Sequence, residues 1–224
     1  MINWGQGIFA PSYNEIKIME TINDTNISNI IKASLKTSYT YADYRDLVTD
    51  LVGRESTTGN DKSEDMVEYT KLNDKRMKRW DKTIKLTEDS IIRLANFKGA
   101  VTWIVITESW CGDAAHVVPA IAKLAEQSDA ISLKLVLRDT NEDLMNQFLT
   151  NGGKSIPKLI MVDNETGEVL DTFGPRPVAA TKLVADYKAA HGILTPEFKE
   201  DLQGWYNKDK GQSTMEDLLT MLGV

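Results

Sequence analysis

The stretch that decides the fold is Val101-Thr-Trp-Ile-Val-Ile-Thr-Glu-Ser-Trp-Cys-Gly-Asp113, followed by Ala114-Ala-His-Val-Val-Pro119. Val101 to Thr107 is a β-branched apolar run of the kind buried in a parallel sheet. After Cys111, Val118, Ile121, Ala122 and Ala125 recur on one helical face, and Ile131, Leu133, Leu135 and Leu137 then alternate as a half-buried strand. Strand, helix and strand form a βαβ unit, whose right-handed crossover sets the two strands parallel. Downstream, Asn141 is placed to cap a helix that faces Leu144, Met145 and Phe148 inward and stops at Asn151-Gly-Gly153. Pro157 to Asp163 and Val169 to Phe173 read as a hairpin around the turn Asn164-Glu-Thr-Gly167. Gly174-Pro-Arg-Pro177 leads into a closing helix with Ala180, Leu183, Val184 and Tyr187 on one face. The order β-α-β-α-β-β-α predicts an α/β fold, a mixed sheet flanked by helices.

The flanks add helices. Ser28 is placed to cap a helix through Lys36, and Tyr44, Leu47, Val48 and Leu51 mark a second one before Gly53. The polar residues 54–63 read as an exposed loop, Glu64 towards Trp80 as a third helix, and Thr87 with Ser90 as the start of a fourth that ends at Gly99. Thr195 to Tyr206 and Thr214 to Leu222 read as two short helices packing back on the rest. The expected organisation is a mobile tail over 1–26, with Met19 an alternative start, a helical extension over 27–86, a core over 87–192 and C-terminal helices over 193–224.

The chain has 224 residues, 42% of them hydrophobic, and a formal net charge of −7. That size and composition suit a folded core, and the acidic balance argues against nucleic acid as a partner. No apolar run of ~20 residues is present to span a bilayer, and the first residues lack a secretory pattern. A single cysteine permits no internal disulfide. The expectation is a cytoplasmic protein without a membrane or nucleic-acid partner, of undetermined oligomeric state.

The element order, together with Trp110-Cys-Gly-Asp113 between strand and helix, Pro119 inside that helix, Ile156-Pro157 before the hairpin and the Gly174 loop after it, resembles the thioredoxin superfamily. Tyr69-Thr-Lys-Leu-Asn-Asp-Lys-Arg-Met77, Glu108-Ser-Trp-Cys-Gly-Asp113, Leu149-Thr-Asn-Gly-Gly-Lys-Ser-Ile-Pro157 and Gly174-Pro-Arg-Pro177 are similar to a bacterial branch with a helical N-terminal region. The resemblance implies a cis proline at 157 facing Cys111, and a site shaped by Trp110, Gly112, Asp113, Ala114, Ile156 and Pro157. It also exposes a departure. Thioredoxins use Cys-x-x-Cys, whose second thiol resolves the mixed disulfide, and here that place is Ala114. The strand position where they bury a carboxylate is Val105. A dithiol cycle is therefore chemically unavailable.

Cys111 reads in two ways: as a monothiol that forms mixed disulfides with glutathione or a protein thiol, or as a buried, inert cysteine in a redox-inactive protein-binding module. A helix N-terminus favours the thiolate by about 0.3 to 2 kcal/mol. Asp113, at ~7 Å, opposes it by roughly 1 to 2 kcal/mol. Arg138, at the C-terminal end of the parallel strand, is a candidate cation to tip the balance, and the resemblance places the Arg176 loop where it would add a second, with Asp139 a candidate to neutralise either. Glu108 reads as a polar strand end or a proton donor. Cys111, Asp113 and His116 lack a fourth ligand for zinc, so neither a metal nor a resident cofactor is expected, with glutathione at most a co-substrate. Between Lys71 and Lys85, Lys71, Lys75, Arg76, Lys78, Arg79, Lys82 and Lys85 face only Asp74 and Asp81. That run reads as a solvated helix face or as a docking surface for an acidic partner.

Overall fold

A computed structural model of the protein describes residues 25–224. The tail expected over 1–26 lies outside these residues except for its last two, which are helical. Helix α1 covers residues 25–35, so Ser28 sits inside it and not at its cap. Helix α2 (Tyr41–Gly53) starts at a capping box in which the Thr40 hydroxyl accepts from the Asp43 N–H while the Asp43 carboxylate accepts from the Thr40 N–H. Tyr44, Val48 and Leu51 form its buried face. Helix α3 (Glu64–Thr83) buries Thr70, Asn73, Asp74, Met77 and Trp80. Helix α4 (Glu88–Asn96) is capped by Thr87, whose hydroxyl accepts from the Ser90 N–H, and it ends before the expected Gly99.

Four strands make one mixed sheet in the order β2-β1-β3-β4: β1 (Val101–Thr107), β2 (Ile131–Leu137), β3 (Lys158–Asp163) and β4 (Val169–Phe173). Strands β1 and β2 pair in parallel, and β3 runs antiparallel to both β1 and β4. The predicted α/β class and mixed sheet flanked by helices are what the chain adopts. The free edge of β2 is extended by Tyr39, which exchanges two backbone hydrogen bonds with Leu135, at 2.8 and 2.9 Å.

Helix α5 (Ala114–Ala125) carries Pro119 in its interior and is almost wholly buried. Helix α6 (Glu142–Gln147) buries Leu144 and Met145, but Asn141 does not cap it with its side chain: its amide donates back to Leu137 O at 2.9 Å. Helix α7 (Val178–His191) buries Ala180 and Val184 and leaves Leu183 exposed, because only a narrow strip of this helix meets the core. Helices α8 (Pro196–Asp209) and α9 (Gln212–Met221) complete the chain. Helix α9 packs against α4, α5 and α7, and α3 lies between α2 and α5. No helix among the described residues is long and apolar enough to cross a membrane.

Residues 54–63 form the expected loop, exposed at 54, 55 and 60–63, and depart from expectation at its centre. The segment is polar, yet Thr57 and Thr58 are fully buried. The Ser109 hydroxyl lies 2.9 to 3.2 Å from the hydroxyls of Thr57, Thr58 and Thr70, and it accepts from the Thr58 N–H at 3.0 Å. Hydroxyls that satisfy one another can leave water without the cost of an unpaired polar group.

Candidate functional site

Strand β1 delivers Thr107, Glu108 and Ser109 to the sheet edge where β2 ends, and the chain turns through Trp110-Cys111-Gly112 into α5. The Cys111 N–H donates to Glu108 O at 3.2 Å, and Cys111 O accepts from the Ala115 N–H at 3.2 Å. The cysteine thus lies just ahead of the helix, as its sequence position implies. Its side chain does not open to solvent. Cys111 is 8% exposed and its thiol donates to Ile156 O at 3.2 Å. The Ile156-Pro157 peptide bond is cis, as is Gly174-Pro175.

The thiol is pushed up to about 12, first by burial and then by the Asp113 charge. The N–H groups of Ala114 and Asp113 and the Arg176 guanidinium pull the other way without reversing it. The magnitudes agree. A rise from 9 to about 12 is worth roughly 4 kcal/mol against the thiolate, twice or more what a helix N-terminus supplies.

Asp113 and Arg176 meet, although 63 residues separate them. The guanidinium spans the carboxylate, Nε to Oδ1 at 3.0 Å and Nη2 to Oδ2 at 2.6 Å. The Tyr206 hydroxyl of α8 donates to the same Oδ1 at 2.9 Å. Asp113 occupies the N-cap position of α5 but makes no side-chain capping bond, since its oxygens are committed to Arg176 and Tyr206. The Arg176 loop is seated against the site by Gly174, at φ 111°, where a Cβ would stand 2.2 Å from Pro157 O. Only glycine allows so close a backbone approach.

Arg138 does not reach the thiol. Its Nε pairs with Asp139 Oδ1 at 2.8 Å, and its guanidinium stacks 4.8 Å from the Trp110 ring centroid. Asp139 also accepts from the Asn60 N–H at 2.8 Å. Burial opposes the Asp139 charge, but these donors and Arg138 outweigh it and hold the carboxyl below its usual range. Glu108 is fully buried: Oε1 accepts from the Asp139 N–H at 2.9 Å while Oε2 has no hydrogen-bond partner among the described residues. Burial raises its carboxyl, the Asp139 charge adds to that, and the nearby Thr58 hydroxyl, the Asp139 N–H and Arg138 oppose it. Gly59, at φ 78°, threads between Asp139, Trp110 and Glu108, with no room for a Cβ.

His116 is buried between α3 and α8. Trp80 Nε1 can only donate, and it does so to His116 Nδ1 at 2.9 Å. The proton of the neutral ring therefore sits on Nε2 and donates to Gln203 Oε1 at 2.6 Å. The ring stacks on Tyr206 with centroids 4.4 Å apart. Burial depresses it to about 4, with Arg76 and Arg79 adding, against the Gln203 hydrogen bond. Both nitrogens are engaged, and among the described residues no group of three His, Cys, Asp and Glu is placed to hold a metal.

Of the residues singled out in the sequence, Cys111, Asp113, Ile156, Pro157 and Arg176 converge, Ala114 is buried behind them, and Trp110 heads a second cluster with Glu108, Arg138 and Asp139. Sequence reasoning missed Ser109, Thr57, Thr58, Asn73 and Tyr206. Asn73 Nδ2 donates to Ser109 O at 2.9 Å, which ties α3 to the motif.

The likeness to known proteins agrees with this geometry. No curated protein matches the chain. Among solved structures, a protein of unknown function from Pseudomonas aeruginosa superposes with a TM-score of 0.54 at 18% identity, covering 83% of this chain and 98% of that one. An HIV epitope-scaffold does so with a TM-score of 0.53, at the same identity and coverage. At that identity the likeness concerns the fold. A family model described as thioredoxin matches residues 59–188, more than half of the chain and the whole span from the Gly59 loop to α7. The chain, with its Trp110-Cys-Gly-Asp113 motif at the end of β1, belongs to the thioredoxin family.

Proposed function

We propose that the protein is a redox-inactive binding module of the thioredoxin family, in which Cys111 is retained as a packed thiol. The observation that carries this reading is the state of Cys111: buried, hydrogen-bonded to Ile156 O and pushed up to about 12. At pH 7 that leaves about one molecule in 10⁵ as thiolate, the form that exchanges. Monothiol exchange with glutathione or a protein thiol, the other reading of the sequence, requires the form that burial and Asp113 oppose. Ala114, where a resolving thiol would stand, agrees with the same reading. The partner under this proposal is a protein segment, no cofactor is required, and the cytoplasm suits a protein that draws nothing from oxidation.

In exchange with glutathione disulfide, the Cys111 thiolate would take one sulfur and release one glutathione thiolate. Intact-mass measurement after incubation at pH 8 is expected to show no glutathionyl adduct on the native chain and a full adduct on the urea-unfolded chain. Stoichiometric modification of the native protein would overturn the proposal.

A further inference from the structure

Of the seven basic side chains between Lys71 and Lys85, two, Lys71 and Lys78, meet a carboxylate among the described residues. Lys71 pairs with Glu68 at 2.8 Å and Lys78 with Asp74 at 2.7 Å, while Arg45 of α2 takes Asp74 and Asp81, each at 3.1 Å. The remainder is not spread evenly. Arg76 is half-buried, and among the described residues its only side-chain hydrogen bond runs from Nη1 to the Asn73 amide oxygen at 2.9 Å and no carboxylate meets it. Its Nη1 lies 3.8 Å from where a Gly112 Cβ would be, so the guanidinium stands over the residue that follows Cys111. Burial and the neighbouring Arg79 both disfavour its charge, and neither is compensated.

Positions 69, 72 and 76 follow i, i+3, i+7, so Tyr69, Leu72 and Arg76 share one side of α3. Tyr69 and Leu72 are 47% and 42% exposed, large for an apolar pair flanking the row, Thr70 and Asn73, that binds Ser109. One turn of helix separates Leu72 from Arg76, about 5 to 6 Å. That matches the spacing of side chains two apart on one face of an extended chain, about 6.5 Å.

We infer that the Tyr69, Leu72 and Arg76 side of α3, where it meets Gly112, is the docking surface for an extended acidic peptide segment carrying a carboxylate two residues from an apolar side chain. This rests on the reading of the chain as a binding module and names the chemistry of its partner. The carboxylate accepts from the Arg76 Nη and Nε groups left free by Asn73, and the apolar residue covers Leu72 and Tyr69. Charge complementarity favours this occupant at the Gly112 end, where Arg76 is a partly desolvated cation without a carboxylate among the described residues, while at the Tyr69 end Asp65 and Glu68 are balanced by Lys71 and Lys75.

The test is selection from a display library of random heptapeptides on the full chain, followed by affinity measurement on the most enriched peptide. Enriched peptides are expected to share Asp or Glu two positions from Leu, Ile, Val, Phe or Tyr, and Arg76→Gln is expected to weaken binding about tenfold or more with an unchanged thermal midpoint. Arg76→Lys is expected to restore part of it, and Lys82→Gln, exposed and more than one turn beyond Arg76 on α3, to change it less than threefold. Selection without an acidic preference, no enrichment above background, or undiminished binding by Arg76→Gln would each overturn the inference. Cys111 takes no part in this readout, so its failure leaves the thiol measurements as they stand, and a reactive thiol leaves this one as it stands.

Discussion

Gly174→Ala is expected to destabilise the protein by about 4 kcal/mol or more, read as the shift of the urea midpoint multiplied by the unfolding slope. The added Cβ would stand 2.2 Å from Pro157 O, which is backbone and cannot rotate away, at a φ of 111° that an L residue rarely adopts. Relief requires the Gly174-Pro-Arg-Pro177 loop to lift off Pro157. That motion would draw Arg176 from Asp113 and loosen the wall of which Ile156 O, the acceptor of the Cys111 thiol, is part. Faster alkylation of Cys111 in the variant is therefore expected alongside the lost stability. Gly192→Ala separates clash from conformation: at φ 79° with nothing within 4 Å, it carries only the backbone penalty of about 1 to 2 kcal/mol. Equal losses at the two positions would contradict the packing described for the Gly174 loop.

Acidification to pH 4 is expected to remove roughly 3 kcal/mol of stability through His116 alone. The sign follows from the depressed value. The folded ring titrates at about 4 and the unfolded ring near 6.5, so between those pH values the unfolded chain binds the proton and the folded chain does not. The contribution is fully present above pH 6.5 and is lost as pH falls through 6.5 towards 4. Its first cause is burial, to which Arg76 and Arg79 add positive charge, and the geometry agrees: a proton on Nδ1 would face the Trp80 N–H, a donor with no other partner among the described residues. Unfolding by urea at pH 7 and at pH 4, in the native chain and in His116→Gln, checks this. The variant amide can still accept from Trp80 and cannot titrate, so the gap between the two pH values should shrink by about that amount. An identical gap would show that His116 is not the group that titrates.

How much of this was legible in the sequence follows the range of the interaction involved. The strands were read almost to the residue, because Val101 to Thr107 and the alternation from Ile131 to Leu137 are local patterns that the sheet only needs to bury. The hairpin around Asn164 to Gly167 and the helix start at Thr87 are local in the same sense. The exposed loop over 54–63 was legible except at Thr57 and Thr58, which were missed for a physical reason. Polar composition signals solvent only when the polar groups lack partners, and the partners of Thr57 and Thr58 are Thr70 and Ser109, up to 52 residues away.

The candidate site divides in the same way. Cys111, Ala114 and Val105 could be placed by their register in one strand and one helix. The state of the thiol could not, because it depends on Ile156, Arg176 and Tyr206, which meet the motif only in the folded chain. Arg138 was a candidate by its strand position and Arg176 through the resemblance that places its loop. The fold gives Arg138 to Asp139 and Trp110 and brings Arg176 to Asp113, so Arg176 offsets the burial of the cysteine only in part.

The central claim is that Cys111 is held as a thiol. Its most direct test is the rate of alkylation of the native chain by iodoacetamide, followed by intact mass from pH 6 to pH 10.5. The account predicts a rate that is slow throughout and still rising at pH 10.5, because the thiol titrates near 12. A rate that levels off with a midpoint below the ~8.5 of a free cysteine would contradict it and return Cys111 to thiol exchange.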